Sequence, residues 1–579
     1  MSTDFDVVIN DGTVYDGTGA PPAVRSLGIR DGRVVAVSEI PLRTTGETID
    51  AEGRWVLPGM VDIHTHYDIE ALIRPQLSES LRHGVTTVLL GSCSLSTVYV
   101  DGSDAGDLFG RVEAIPREHV VGAVDSAKTW SDPAGYADAL EQRPLGPNVA
   151  AFLGHSDIRA AVMGLDNATR DDVKPTGAQQ DRMERMLRDA LDAGFVGLSS
   201  QQLLFDKLDG EVCRSRTLPS TYATAREKRR LNAILRRRGR VLQTGPDISN
   251  PMSVGSQVFG SLGIGRRHLK TSLLSAADIK ADPMVVKAMG PLAAFVNALG
   301  ADFRWQHLPV PFEVYADGIA LAVFEEFGSG AAALHLADEI ERNALMRDPD
   351  YRRRFRADYD ATRGPRVWHR DFYDAEIVDC PDTSVIGKSF GQVATDRGIA
   401  HPVDAFLDLV VEYGDKLRWR TTISNHRPEM LKKLARCPGV QIGFSDAGAH
   451  LRNMAFYNFG LRLLKHVRDA ELAGEPFMTV AAAVRRLSGE IADWYGIDGG
   501  HLRLGDRADL LVVDPERLDD SLEEYHEQAI EEYGGLSRMV NRNDATVALV
   551  MVNGQPVFRH GVAEPIVGQT RTGRFLRAA

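Results

Sequence analysis

The chain has 579 residues, 67 Lys and Arg against 80 Asp and Glu, a formal charge of −13, and 43% hydrophobic and 25% charged residues. That length exceeds one ordinary core and implies a barrel-sized unit plus a smaller one, and the composition excludes a disordered or fibrous chain. The acidic balance gives no electrostatic reason to expect nucleic acid or an anionic membrane as partner.

In chain order, residues 5–10, 27–30, 33–37 and 47–50 read as short strands, with turns at Asp11-Gly12 and Asp31-Gly32. From about 58 to 498, β-branched apolar runs alternate with helix-length segments, the pattern of parallel βαβ units. Barrel strands are expected at 60–63, 86–91, 149–153, 196–199, 240–244, 268–272, 302–308 and 440–445. The piece 315–419 is too long for a normal crossover and reads as a helical insertion over the barrel mouth; 421–424 could replace the seventh strand. Strand texture returns at 508–513, 545–552 and 555–558, with a turn at Asn553-Gly554. Neither end can close a core alone, so both are expected to pair. The expected fold class is α/β: a TIM-like (β/α)8 barrel over 58–498, with a small β-sandwich formed by the terminal segments 1–57 and 499–579. The basic run 226–240 reads as a solvated helix face. The four cysteines, Cys93, Cys213, Cys380 and Cys437, do not make a disulfide framework. With no basic leader and no apolar stretch of about 18 residues, a cytoplasmic protein without a membrane span is expected.

His64 and His66 end the first barrel run, and residues two apart on a strand share a face, so both imidazoles can reach one ion at the C-terminal mouth. Asp446 closes the last strand, where it can bind a metal and act as general base, or else cap the next helix. Cys93 follows the second strand and is either a zinc thiolate or a buried structural thiol. His155, after the third strand, and His268, opening the sixth, are candidates by position.

Together these features resemble the amidohydrolase superfamily, and within it the N-acyl-D-amino-acid deacylase (D-aminoacylase) branch. The resemblance rests on 7–19, on Pro58 to His66, Gly91-Ser92-Cys93, Gly154-His155-Ser156 with Arg159, Pro219 to Thr224, and Gly505 to Asp514. It implies that Cys93 ligates metal in place of a carboxylated Lys, that His268 is the sixth-strand ligand, and that His450-Leu451-Arg452 corresponds to a stretch whose Arg holds the substrate carboxylate. Two positions depart from it. Gln243 stands where a fifth-strand metal His is expected, and Leu203-Leu204-Phe205 where the family has a substrate-binding Tyr.

The resulting expectation is a metal-dependent hydrolase of an amide or related C–N bond in a small carboxylate-bearing molecule. One or two divalent ions, zinc being the expected species, would be held by His64, His66, Cys93, His268 and Asp446; Asp446 would be the catalytic base, and Arg452, His155 and His450 would contact substrate. Self-association is left open. The alternatives are a metal hydrolase of a cyclic amide, lactone or carbamate, and a non-catalytic scaffold that keeps the barrel.

Overall fold

A computed structural model describes residues 4–204, 206–247, 250–336, 338–361 and 366–579. The chain opens with β1 (Val7–Val14), β2 (Ala23–Arg30), β3 (Arg33–Ser38), β4 (Glu47–Asp50) and β5 (Trp55–Pro58). The barrel strands follow: β6 (Met60–Asp62), β7 (His64–Thr65), β8 (Val85–Leu90), β9 (Asn148–Gly154), β10 (Gly197–Gln201), β11 (Val241–Gly245), β12 (Lys270–Leu273) and β13 (Asp302–His307). After β14 (Phe312–Asp317), β15 (Glu376–Asp379) and β16 (Arg418–Ser424), the barrel resumes with β17 (Val440–Ile442) and β18 (Phe444–Ala447). The chain then adds β19 (Leu510–Val513), β20 (His526–Ile530), β21 (Leu536–Val540), β22 (Val547–Val552), β23 (Gln555–Arg559) and β24 (Val562–Ala563).

The parallel sheet runs β17-β13-β12-β11-β10-β9-β8-β6, and the parallel pair β7–β18, with Phe444 opposite His64, closes it into a barrel. Fully buried runs such as Val149–Leu153 are what a sheet covered on both faces requires. The 421–424 run lies in β16, the middle strand of the antiparallel sheet β14-β16-β15, and β13 is the barrel's seventh strand. That extra sheet and its helices have their own aromatic core, in which Phe324, Phe372, Phe406 and Trp419 stack and pack edge-on.

Both chain ends share one nine-stranded sheet, β24-β23-β22-β19-β5-β1-β2-β3 with β4 added on β1. A bulge between Ile9 and Gly12 lets β1 change partner, from β4 at Val7–Asn10 to β5 at Thr13 and Val14. The sheet branches there, around a core that includes Ile9, Leu27, Ile29, Val56, Leu510, Val512 and Met551. Its seam is the antiparallel β5–β19 pair, Trp55 opposite Val513 and Pro58 opposite Leu510. Arg507 and Asp509 fasten this seam to the barrel through Asn148 at the start of β9, with Arg507 Nη2 donating to Asn148 Oδ1 at 2.8 Å and Asn148 Nδ2 to Asp509 Oδ2 at 2.9 Å. The Gly505 to Asp514 stretch is therefore a structural joint. Among the described residues, no helix is long and apolar enough to cross a membrane.

Candidate active site

His64 lies on β7 and His66 just beyond it, and the β7–β18 pairing brings Asp446 to the same end of the barrel. His64, His66 and Cys93 converge closely, and Asp446 meets the two imidazoles. His64 Nε2 is 3.3 Å from His66 Nε2, 3.3 Å from Cys93 Sγ and 3.2 Å from Asp446 Oδ1, and His66 Nε2 is 3.4 Å from that same oxygen. Cys93 and Asp446 both have left-handed backbones, at φ 51° and 55°, a conformation that costs energy for residues with a Cβ and is tolerated where the surroundings enforce it. Gly91 makes the turn that delivers Cys93 possible: at φ 79° it lies where a Cβ would stand 2.2 Å from the Phe152 carbonyl oxygen. Asp446 does not cap a helix, since the next one begins at Phe459 behind Asn458.

Three of these four residues meet a further group behind the cluster. His64 Nδ1–H donates to Gln306 Oε1 at 2.7 Å, which leaves the Nε2 lone pair facing the cluster. His66 Nδ1 faces Glu113 Oε1 at 3.2 Å. The Cys93 backbone N–H donates to Gln243 Oε1 at 3.1 Å, and Gln243 Nε2 donates to Ser92 Oγ at 3.2 Å. The structure thus gives Gln243 a role behind Cys93 at the place where a fifth-strand ligand was sought.

Burial sets the electrostatics. It pulls His64 down to about 4 and His66 to about 3, so both rings are neutral and carry lone pairs. It also pushes Asp446, Glu113 and the Cys93 thiol up, and Asp206 up to about 7. Among the described residues no Arg or Lys forms an ion pair with Asp446 or Glu113. Buried acids beside neutral imidazoles and a thiol, with no cationic side chain paired to them, form a pocket that a positive ion would stabilise. Two imidazole nitrogens, one sulfur and one carboxylate oxygen are also the donor types of a tetrahedral zinc-like site.

The other expected site residues lie differently. His268 precedes β12, so it stands at the N-terminal end of its strand, 42% exposed and 3.9 Å from Asp302, away from the mouth. His155 is buried with both ring nitrogens engaged, Nδ1 with Ser200 Oγ at 3.0 Å and Nε2 with Glu227 Oε1 at 2.9 Å. Arg159 also donates to Glu227, whose backbone N–H is capped by Thr224, so the Gly154 to Arg159 and Pro219 to Thr224 stretches build a structural triad with no ring nitrogen free for substrate. Arg452 uses its fork on the chain's own acids: Nε donates to Asp317 Oδ2 at 2.8 Å and Nη1 to Glu527 Oε2 at 2.7 Å, tying β14 to β20. His450 does line the mouth, 22% exposed, with Nε2 3.9 Å from Glu113 Oε2. Glu113 is a site residue that sequence reasoning missed. It lies in a loop with no periodic pattern, docked when the His450 N–H donates to its carbonyl at 2.7 Å.

Residues 47–241 match the model of a family described as "Amidohydrolase family". The chain is 55% identical to "Uncharacterized protein Rv2913c" of Mycobacterium tuberculosis over 590 aligned residues, 99% of this chain and 96% of that one. It is 37% identical to N-acyl-D-glutamate deacylase of Alcaligenes xylosoxydans xylosoxydans over 201 residues, 34% of this chain and 38% of that one. The chain belongs to the amidohydrolase family. This amidohydrolase shares its fold with the crystal structure of N-acyl-D-glutamate deacylase from Bordetella bronchiseptica complexed with zinc and a phosphonate inhibitor, at a TM-score of 0.64 and 23% identity over 99% of this chain and 100% of that one. A D-aminoacylase structure is similar at a TM-score of 0.62 and 20% identity, with the same coverage. Family membership makes the chain a hydrolase of carbon–nitrogen bonds other than peptide bonds.

The thiol gives a spectroscopic check on the cluster. Cobalt-loaded protein is expected to show sulfur-to-metal charge-transfer absorption that Cys93→Ser removes; absorption that survives the substitution would make Cys93 a plain buried thiol.

Proposed function

We propose that this amidohydrolase is a metal-dependent hydrolase of an amide or related C–N bond in a small carboxylate-bearing molecule of the N-acyl amino acid type, with zinc as the ion. The observation that carries the metal dependence is the convergence of His64, His66 and Cys93, with Asp446 at 3.2 and 3.4 Å from the two imidazoles, in a pocket of buried acids without an Arg or Lys partner among the described residues. When bound there, a divalent cation supplies Lewis acidity, which makes water nucleophilic near neutral pH and polarises a carbonyl.

The chain's own groups do the rest. Asp446 is the general base: with 12% of its side chain exposed, against 1% for His64 and 3% for His66, it is the more open of these to the mouth. It takes a proton from water at its carboxylate and returns it to the leaving nitrogen, so one residue serves as base and then as acid. Gln306 holds the His64 imidazole by a hydrogen bond and Glu113 faces Nδ1 of His66, with both Nε2 atoms turned toward the cluster. His450 stands between Glu113 and Asp446, where it can donate to a substrate oxygen.

The relatives' names support an acyl amino acid as substrate, and two cations could meet its carboxylate. Arg452 could do so only by leaving Asp317 and Glu527. Lys207, half-buried beside Asp206 on the loop after β10, has no hydrogen bond or ion pair among the described residues. The test compares kcat/KM for an N-acyl amino acid and its neutral carboxamide in wild type, Arg452→Ala and Lys207→Ala. The acid is expected to be preferred by about one to two orders of magnitude, as for a hydrogen bond to a charged group, and the preference should collapse in the variant that lost the gripping cation. Equal rates for acid and amide in wild type would remove the carboxylate from the substrate description. Activity on a lactone or cyclic amide instead would redirect the reading to those bonds.

A further inference from the structure

We infer that the centre takes a single cation, and that the side of the mouth where a second would bind is closed by a floor made of buried Gln243 and the hydrogen-bonded pair Ser272 and Gln306. This rests on the metal-dependent reading above and concerns how many ions the site can hold. A second ion beside the first could share Cys93 or Asp446, but it would still need donors of its own from further strands of the barrel. The next candidates are β11, β12 and β13. They present an amide, a hydroxyl and an amide, all buried: Gln243, Ser272 and Gln306. Neutral amides and hydroxyls are weak ligands for zinc-like ions.

These groups are also committed. Gln306 Oε1 accepts from His64 Nδ1–H at 2.7 Å while its Nε2 donates to Ser272 Oγ at 2.9 Å, and Tyr495 OH donates to that same Oγ at 3.2 Å. Gln243 Oε1 accepts from the Cys93 N–H at 3.1 Å. A cation that took either amide oxygen would strip a buried N–H of its acceptor and release the very ligand, His64 or Cys93, that the first ion depends on. Two further acids near the cluster face protein groups of their own. Asp206 Oδ2 accepts from Gln201 Nε2 at 2.8 Å, and Glu113 is divided between His66 and His450. Among the described residues the only three His, Cys, Asp or Glu side chains whose donor atoms all lie within 4.8 Å of one another are His64, His66 and Cys93.

The floor therefore does two things at once: it blocks a second ion and fixes the ligands of the first. Gln306 is a positioning residue, since it acts through His64. The experiment titrates chelator-stripped full-length protein with Co2+, following the thiolate charge-transfer band and, after dialysis, the metal content per chain. Both are expected to saturate at one equivalent, with the spectrum of an isolated high-spin ion. A second equivalent bound with comparable affinity, or spin coupling between two ions, would overturn the single-cation inference while leaving metal dependence standing. No retained cobalt would overturn metal dependence itself. Gln306→Leu is expected to keep the stoichiometry and weaken Co2+ binding about 10- to 100-fold, as loss of an outer-shell partner does, and Gln306→Glu, which keeps an acceptor for His64 Nδ1–H, should restore most of it. Unchanged affinity in Gln306→Leu would refute the positioning role.

Discussion

Replacing Asp446 by Asn is expected to lower kcat by about two to four orders of magnitude, roughly 3 to 5 kcal/mol of barrier, the usual worth of a positioned acid or base. The substitution keeps shape and the capacity to accept a hydrogen bond, so the strained φ of 55° and the pairing of β18 with β7 should survive it. What it removes is a group able to take and return a proton. Because Asp446 Oδ1 also lies 3.2 Å from His64 Nε2, part of the loss could come through weaker metal binding, and the assay must record metal content beside kcat. A variant with full metal content and near wild-type turnover would demote Asp446 to a structural strand-end residue.

The second large effect belongs to the imidazole pair. His64→Ala with His66→Ala is expected to reduce both metal content and activity to background. The remaining donors, Cys93 and Asp446, come from opposite sides of the pair and cannot hold an ion tightly by themselves. Folding is expected to persist, because the barrel closes through backbone pairing of β7 with β18 and the buried Tyr67 and Ile63 nearby are untouched. Elemental analysis together with far-UV circular dichroism separates the cases. A folded double variant that retained its metal would place the ion elsewhere.

The residues differ in how far the sequence could reveal them. His64 and His66 were legible because a two-residue spacing after an apolar run has one geometric meaning on a strand. Cys93 and Asp446 were legible as residues at strand ends, which parallel barrels turn toward one mouth. His268 fell outside the site because it opens its strand, and strand polarity in a parallel barrel puts such residues at the far end. The surroundings of His155 and Arg452 were illegible for a different reason. Their partners, Glu227 in one case and Asp317 with Glu527 in the other, lie 72, 135 and 75 residues away in sequence, and no local pattern predicts that those acids come to them. Glu113 gave no signal, because an irregular loop has no period from which to infer direction. The barrel strands were readable from buried β-branched runs, whereas the insertion's 421–424 run looked equally suited to the barrel and was assigned only by its antiparallel neighbours.

The seam between β5 and β19 has a consequence for how this enzyme comes into being. β5 leads directly into the strand that carries His64, yet its partner, Leu510–Val513, is made some 450 residues later. The tail is threaded in as well: the Leu576 N–H donates to the Val149 carbonyl at 2.7 Å and the Ala578 N–H to that of Gly194 at 2.9 Å, beneath the barrel. A nascent chain on the ribosome can therefore shape individual βα units as they emerge but cannot seal the β5 edge until residues 510–513 have been released. During that interval the edge of β5 that takes β19 is unpaired and sticky. Translation stalled before residue 510 would leave a long product with that edge exposed to aggregation, and synthesis of this hydrolase should lean on chaperones more than its closed barrel suggests.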